Sequence, residues 1–523
     1  MVSLLVFLAC TGPEEVVQTE PESMAPVPLL IRASIDLRGV RPSAEELAAV
    51  ESDGSKVEDY IAQYMEDPRF EGRVSDLYQQ VFLTRNDAYL ISAASYGLGD
   101  EATFAASVGD EVPRIVGRIA AEDRPWTELV TGDWTMANET LAAVWPLDYQ
   151  GPGWQPARYT DGRPAVGVLA TNSLWWRYTS TDSNANRKRA NAISRTLLCS
   201  DYLSRPIEFD RNLNLLDEGA VTDALRTDPA CISCHNTLDP IASSLFGFWW
   251  YDYTNPREAR SYFPEREQRW KDYGNVPPAW YGQPVHSLRD LGQKIAGDSR
   301  FVDCAVEQAW ELLLRRDRAL ADDQTLVSHR NAFLSGGLSL KPLFRSVMAD
   351  PMYRAADSAD ESYASRKQMT PELLASVVQD LTGFAWTYGG YDMLRTDASG
   401  FLTLAGGADG YAVTEPADSP NTTLVLVQER LAENAAWYVV NQDPTRLFTV
   451  DFSATPETDK AAMVAQLQAL HWRIFGSRVA ADGAEVEAGL ALWSDLYAVE
   501  PDGKEAWAGV LSVLLRDPDF LFY

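Results

Sequence analysis

Histidine, cysteine and positive charge are scarce in this chain of 523 residues, which has 4 His, 5 Cys, and 45 Lys and Arg against 75 Asp and Glu. The net charge of −30 argues against a nucleic-acid backbone as partner, because both surfaces would be negative. The sequence has no run of 18 apolar residues, so it predicts no membrane-spanning helix. It also lacks a Walker loop, a G-x-S-x-G elbow and an H-E-x-x-H pair, so none of these motifs points to an enzyme class.

Apolar and aromatic residues, in contrast, are plentiful at 46% and 11% of the chain, which is enough to build packed cores. Apolar residues recur at spacings of three and four while alternating patterns are rare, so the sequence predicts a mainly α, multi-domain fold. The predicted helical segments are 44–66, 111–121, 141–145, 187–200, 287–296, 302–315, 371–381, 424–441 and 459–475. Stretches rich in Gly, Pro and charge predict long irregular loops at 254–284 and 395–420.

The strongest motif is Cys231-Ile232-Ser233-Cys234-His235, a C-x-x-C-H pattern typical of covalent c-type haem attachment. On a helix, residues at i and i+3 share a face, so both thiols can reach the two vinyl groups while His235 binds the iron. Asp228 can cap the helix and Pro229 can occupy its first position. We therefore predict Cys231 and Cys234 as attachment residues and His235 as the axial ligand of haem c.

Three other interpretations of the two cysteines stay open. A structural zinc site would need four ligands, usually from two separated pairs, and the other cysteines of the body are isolated at 199 and 304. A thioredoxin-like redox pair would expect a β-α-β context, which this stretch lacks. A disulfide between Cys231 and Cys234 is the third alternative.

Further haem contacts are predicted by chemistry and by position in the sequence. Asp239 is close enough to accept a hydrogen bond from the second ring nitrogen of His235, although Asp239-Pro240 could equally just end the helix. For the sixth iron ligand, His286 is the first candidate and Met136 the second, with an open site as the alternative. For any of these residues, ordinary packing or exposure is the commoner explanation.

The densest basic cluster is Arg187-Lys188-Arg189, and arginine binds carboxylates such as haem propionates through two parallel hydrogen bonds. We predict Arg187 and Arg189 as propionate ligands, with a solvated helix face as the competing interpretation. Aromatic side chains near the motif could line the haem pocket and exclude water from it, or they could belong to the ordinary core. They are Trp175, Trp176, Phe246, Phe248, Trp249 and Trp250.

The first ten residues are apolar apart from Ser3 and end in Phe7-Leu8-Ala9-Cys10, which resembles a bacterial lipoprotein signal peptide. The resemblance implies export to the periplasm or an outer-membrane anchor, with a lipid on Cys10. A frayed terminus with a chance cysteine is the alternative. Residues 11–28 then read as a flexible linker, followed by helical domains at 29–160, 161–355 (with the haem motif) and 356–523.

Cys199 and Cys304 lie on either side of the haem motif. In an oxidising compartment, one cysteine would be lipidated and two linked to haem, which leaves these two free to form a disulfide. The alternative is two buried thiols, since sequence alone does not place their Cα atoms together.

A weak internal repeat combines helices with an Asp-Pro step and then an aromatic residue. The three copies end in Asp67-Pro68-Arg69-Phe70, Asp350-Pro351-Met352-Tyr353 and Asp517-Pro518-Asp519-Phe520. Upstream of the second and third copies, a Trp and an Arg are spaced by six residues, and upstream of the first, Ser43 and Glu46 have the spacing of a capping box. We predict a recurring helical hairpin, with coincidence between ordinary helix stops as the alternative.

Several stretches in order resemble the exported planctomycete-type cytochrome c families, which are catalogued as domains of unknown function. The most specific is PACISCHNTLDP at 229–240, and the others are 32–70, 123–141, 186–199 and 288–316. The resemblance implies export, covalent haem and a helical fold, but no settled reaction.

The leading functional prediction is an exported, lipid-anchored mono-haem cytochrome that passes electrons to an unidentified redox partner protein. One alternative is a haem enzyme of peroxidase or oxidase type, which requires an open iron site. The other is a non-redox surface module that binds a glycan or a protein, in which the covalently attached haem serves mainly to stabilise the fold. The aromatic loop at 255–281 is the sequence feature that favours this last alternative.

Overall fold

The computed structural model describes residues 22–87, 89–205, 214, 216–356 and 366–523. It is 59% helical and 4% strand, which confirms the predicted mainly α fold. The predicted signal peptide, most of the linker and the lipid attachment at Cys10 lie outside the described residues.

The first third of the chain holds seven helices and one pair of short strands among its described residues. They are α1 (Pro26–Arg38), α2 (Ala44–Ser52), α3 (Lys56–Tyr64), α4 (Arg69–Phe82), α5 (Glu101–Ala121), α6 (Glu128–Thr131), β1 (Thr135–Ala137), α7 (Glu139–Val144) and β2 (Gln155–Ala157). Strands β1 and β2 are antiparallel, with Met136 opposite Pro156.

The middle third carries the cysteine motif on its fourth helix. Its elements are α8 (Asn172–Arg177), α9 (Arg187–Leu198), α10 (Glu218–Thr227), α11 (Pro229–Ser243), α12 (Pro256–Ala259), β3 (Ala279–Trp280), β4 (Gln283–Pro284), α13 (Leu288–Ala296), α14 (Ser299–Leu314), α15 (Asp323–Ser335) and α16 (Leu340–Met348). Strands β3 and β4 form a short antiparallel hairpin that interrupts the predicted loop at 254–284.

The described part of the last third holds seven helices and one hairpin. Its elements are α17 (Pro371–Thr382), β5 (Thr387–Tyr388), β6 (Tyr391–Asp392), α18 (Phe401–Leu404), α19 (Thr422–Gln442), α20 (Pro456–Phe475), α21 (Ala484–Val499), α22 (Gly503–Arg516) and α23 (Pro518–Leu521). Strands β5 and β6 are antiparallel.

Short 3-10 helices connect these elements along the whole described chain. They occupy Ala93–Tyr96, Gly167–Ala170, Phe246–Phe248, Pro264–Arg266, Arg269–Tyr273, Leu320–Asp322 and Pro444–Arg446.

One continuous cluster of buried apolar side chains includes residues from all three predicted domains, for example Leu30, Trp175 and Trp507. Burial of this apolar surface is the main stabilising contribution to the fold. The division into domains at 160 and 355 stays a prediction.

A buried polar cluster around Asp36 of α1 joins distant parts of the chain. The Asp36 carboxylate accepts hydrogen bonds from Tyr353 (2.8 Å) and Tyr523 (2.9 Å) and forms an ion pair with Lys367. The backbones of Lys367 and Tyr523 also pair, at 3.0 and 3.1 Å. Because the ion pair is buried, these hydrogen bonds are needed to offset the cost of removing both charges from water. We call these four residues the Asp36 cluster.

Candidate functional site

The cysteine motif occupies the first two turns of α11. Asp228 is the N-cap, and its carboxylate accepts a hydrogen bond from the Ala230 N–H at 2.8 Å, while Pro229 occupies the first helical position. Both features are as the sequence predicted. Cys231 and Cys234 are free thiols and half-buried, so no disulfide joins them in this structure. Helical spacing of i and i+3 puts both on one face.

The imidazole of His235, on the next turn, is held by a carboxylate. Its Nδ1 lies 2.9 Å from an oxygen of Asp239, and the Arg187 guanidinium donates to the same carboxylate at 2.7 and 3.2 Å. Burial alone would raise the pKa of Asp239, but the hydrogen bonds from His235 and Arg187 outweigh it and hold that pKa below its ordinary value. An ionised Asp239 accepts only, so it selects the tautomer with the proton on Nδ1 and leaves the Nε2 lone pair free.

These residues fit a covalently attached haem. Two unpaired thiols share a helix face, and the adjacent imidazole has its Nδ1 committed, so that its Nε2 can bind iron. The described residues contain no group of three or more His, Cys, Asp or Glu side chains arranged to hold a metal ion.

The two predicted propionate ligands point to different places. Arg187 is 21% exposed at its side chain and binds Asp239. Arg189 is fully buried, and it donates to the Tyr178 carbonyl at 3.0 Å, the Phe248 carbonyl at 2.9 Å and Asn186 Oδ1 at 3.1 Å. Burial lowers the pKa of Arg189 to about 10. The structure therefore gives Arg189 a role in joining α9 to the Phe246–Phe248 turn, and its binding to a propionate stays a prediction.

The aromatic side chains near the motif are buried in the protein core. Phe246 and Trp249 form a small separate cluster with Trp270 and Tyr273, and the two rings of Phe246 and Trp249 stack at 5.0 Å. The other four belong to the main core: Trp175, Trp176, Phe248 and Trp250.

The candidates for the sixth ligand occupy contrasting positions. Met136 is buried in β1, which packs against α5. His286 is exposed before α13, and its backbone N–H donates to Asp290 at 2.9 Å. Of the other histidines, His329 bonds Ser346 Oγ at 2.8 Å and His471 packs on a phenylalanine ring. The identity of the sixth ligand stays a prediction.

Cys199 and Cys304 are brought together as a disulfide, with their Cα atoms 5.2 Å apart. Cys199 ends α9 in a left-handed conformation, with φ of 49°, and Cys304 lies in the first turns of α14. The bond therefore ties α9, which carries Arg187, to α14.

One contact of the motif helix was missed by sequence reasoning. Tyr202, three residues after Cys199, has its hydroxyl 2.7 Å from Thr237 Oγ1 on α11. Its ring also packs under the Arg205 guanidinium at 4.4 Å. Nothing in the local pattern marks Tyr202, although its closeness to Cys199 in sequence is a weak signal. Tyr202 thereby joins the stretch just after Cys199 to the motif helix.

Comparison of the chain with models of protein families, with curated proteins and with solved structures gives no match. The resemblance to exported cytochrome families therefore stays a prediction that rests on its motifs. Among the described helices, none combines the length and the apolar character needed to cross a membrane.

Proposed function

We propose that this protein is an exported, lipid-anchored mono-haem c-type cytochrome that transfers electrons to a partner protein. The observation that supports it best is the arrangement on α11: two free thiols one turn apart, followed by a histidine whose Nδ1 is committed to a carboxylate. This is the donor set that covalent haem attachment requires.

Each residue has a distinct task in this proposal. Cys231 and Cys234 would hold the haem through thioether bonds, and Nε2 of His235 would bind its iron. Asp239 holds the imidazole in one orientation and one tautomer, and Arg187 holds Asp239. When bound, the haem supplies a one-electron iron couple, whose potential the protein tunes through the ligands and their hydrogen bonds.

The charge of the chain indicates the kind of redox partner. A net charge of −30 favours a partner with a basic surface, because opposite charges steer diffusional encounter. Such association weakens as salt is added. A basic redox protein is therefore the expected partner class.

Absorption spectroscopy of the full chain, produced with a c-type haem maturation system, tests the proposal. We expect covalent haem bands that are low-spin and unchanged by carbon monoxide. The Cys231→Ser, Cys234→Ser double variant is the matched control and should carry no covalent haem. A wild-type protein without covalent haem would contradict the proposal and favour the non-redox surface module.

The same experiment separates electron transfer from the alternative haem enzyme. A high-spin spectrum that shifts when carbon monoxide or cyanide is added would mean an open iron, and peroxidase or oxidase assays would follow. If the spectrum is low-spin, the variants His286→Ala and Met136→Leu identify the sixth ligand.

A further inference from the structure

A large polar cleft lies away from the cysteine motif, between the first and last thirds of the chain. Its volume is about 910 Å³, and α4, α5, α17 and the segment around β6 contribute to its walls. Alanines 102, 105 and 106 on α5 leave room on one side. Clefts of this size hold small-molecule ligands in many proteins.

Most charged side chains that line the cleft already have partners. Arg85 binds both Asp76 (2.6 Å) and Asp110 (2.7 Å), while Arg395 is 3.5 Å from Asp76 and Arg114 is 2.9 Å from Asp110. Arg38 and Arg69 each pair with Asp67, and Asp380 pairs with Arg69 and with Arg473. These groups neutralise one another and leave little net charge for a ligand.

Arg73 on α4 is the exception among the arginines of the cleft. It is 5% exposed, and within the described chain it has no ion pair, its one hydrogen bond being from Nε to the Asp36 carbonyl at 3.3 Å. Its terminal nitrogens make no hydrogen bond within the described chain, and the side chain lines the cleft, where Asp76 is a neighbouring negative charge. A guanidinium whose terminal N–H groups are not used by the protein can bind an incoming carboxylate through two parallel hydrogen bonds.

A carboxylate that also lacks an ion pair faces the same cleft. Glu372, in the first turn of α17, lines the cleft and has no ion pair within the part of the chain that is described. The two other unpaired carboxylates of the lining, Asp87 and Asp409, accept backbone N–H groups of residues 397 and 411–413. Glu372 also accepts hydrogen bonds, from a backbone N–H and from the Thr370 hydroxyl, and it has no ion pair in the described chain, which leaves it able to bind a positively charged group.

We propose that this cleft binds a small zwitterion, such as a free amino acid or a short peptide, with its carboxylate on Arg73 and its ammonium group on Glu372. One cation and one anion without an ion pair in the described chain, in a cleft whose other charges are mostly paired, complement a ligand with both charges. A purely anionic ligand would leave Glu372 unpaired and repelled, and a purely cationic one would do the same to Arg73. The site does not involve haem.

Calorimetric titration of the full-length protein at pH 8 with ω-amino acids of increasing length tests this proposal. The probes are glycine, β-alanine, 4-aminobutyrate and 6-aminohexanoate, which vary the separation of the two charges. Butyrate and butylamine are the controls with a single charge. We expect one chain length to bind at least about tenfold more tightly than either control, since one charge-assisted hydrogen bond contributes about that factor.

Variants locate the binding within the cleft. Arg73→Gln and Glu372→Gln should each weaken binding of the best zwitterion about tenfold or more. Arg69→Gln, on the same face of α4 but already paired with Asp67, is the matched control and should bind as wild type does. If Arg73→Gln does not fold, Glu372→Gln decides the question alone.

Three outcomes would overturn the proposal. One is that no ω-amino acid binds with a Kd below about 10 mM. Another is that butyrate binds as tightly as the best zwitterion, which would make this a simple anion site. The third is that Glu372→Gln binds the best zwitterion as tightly as wild type does.

Discussion

The carboxylate of Asp239 is shared by two donors, His235 Nδ1 and the Arg187 guanidinium. Replacing it by an amide in Asp239→Asn removes the negative charge that raises the basicity of the imidazole. In the haem-loaded protein we expect the reduction potential to rise by about 60 mV, one tenfold change for a one-electron couple. A spectroelectrochemical titration measures it.

The matched control for Asp239→Asn is Asp223→Asn, which removes an equal charge from the exposed face of the neighbouring helix α10. Its potential should stay near that of wild type. Equal shifts in both variants would show that Asp239 acts only through net charge, and no shift in either would contradict the role given to Asp239.

Glu111 on α5 is fully buried and accepts hydrogen bonds from Thr135 (2.7 Å), Tyr159 (2.7 Å) and the Ser173 N–H (3.0 Å). Burial raises its pKa from 4.5 to about 7, despite these bonds. Between these pH values the folded state binds more protons than the unfolded state, so this group's contribution to stability falls as pH rises.

We therefore expect the free energy of unfolding of wild type, relative to Glu111→Gln, to fall by about 3 kcal/mol between pH 4.5 and pH 8. Urea unfolding across this range measures it. Glu487→Gln, on the exposed face of α21, removes a charge without burial and serves as control. If the free energy of unfolding changed with pH equally in wild type and in Glu111→Gln, Glu111 would not change protonation on folding.

Single residues differ in how far the sequence predicts them. The partnership of His235 and Asp239 follows from a spacing of four residues on one helix, so the local pattern was sufficient. The burial of Arg189 was not predictable, because its acceptors at 178 and 248 come from separate segments. Basic residues in a row look alike in sequence, and only packing distinguishes the exposed one from the buried one.

Helix α2 begins with a reciprocal cap. The Ser43 hydroxyl accepts from the Glu46 N–H at 3.2 Å, and Glu46 accepts from the Ser43 N–H at 2.7 Å and from Arg38 at 3.0 Å. We expect Ser43→Ala to lower the free energy of unfolding by about 1 kcal/mol.

Urea denaturation checks this, with Ser55→Ala as the matched control. Ser55 occupies the N-cap position of α3, but its hydroxyl does not cap the helix and donates instead to Asp53 at 2.6 Å. The control should change stability by less than about 0.5 kcal/mol. Equal effects of the two substitutions would count against the cap.

The same stretch shows where helix prediction failed. The sequence predicted one helix over 44–66, whereas the structure has α2 and α3 separated at Asp53-Gly54. Both helices bury apolar residues on the same core, so the apolar period continues across the break. Periodicity reports the buried face and does not show where the backbone bends.

The predicted repeat has structural counterparts in its aromatic residues. Phe70, Tyr353 and Phe520, one after each Asp-Pro step, are all buried to within 1%. The arginines Arg316 and Arg478 lie over Trp310 and Trp472, with the guanidinium carbon 5.4 and 3.7 Å from the ring centre. The recurring aromatic residue thus has the same role in each copy, that of an anchor in the core.

At the scale of the whole molecule, the Cys199–Cys304 disulfide links residues 105 positions apart. Closing a loop of this length removes conformational freedom from the unfolded chain. We expect the double variant Cys199→Ser, Cys304→Ser to lose about 4 to 5 kcal/mol of stability.

Chemical denaturation of the oxidised protein compared with the double variant measures this loss. Wild type treated with a reductant should approach the variant, and the variant itself should not respond to the reductant. A double variant as stable as oxidised wild type would mean that the reduced, unfolded chain keeps the two positions close.

Sequence patterns could not have located the large cleft between the first and last thirds of the chain. Its ion pairs join residues as far apart as Asp76 and Arg395, 319 positions in the chain, and no local signal connects them. The cysteine motif is recognisable because its chemistry lies within five consecutive residues. A site assembled by tertiary folding appears only when the elements are in place.

The Asp36 cluster has a consequence for biosynthesis. Helix α1 precedes by more than 300 positions the side chains at 353, 367 and 523 from which its buried carboxylate accepts hydrogen bonds in the described structure. A chain that emerges from its N-terminal end therefore keeps Asp36 hydrated until these residues have been translated. Helix α1 therefore completes its packing only after residue 523 has been made, and an incomplete chain that stops before it leaves the Asp36 cluster unfinished.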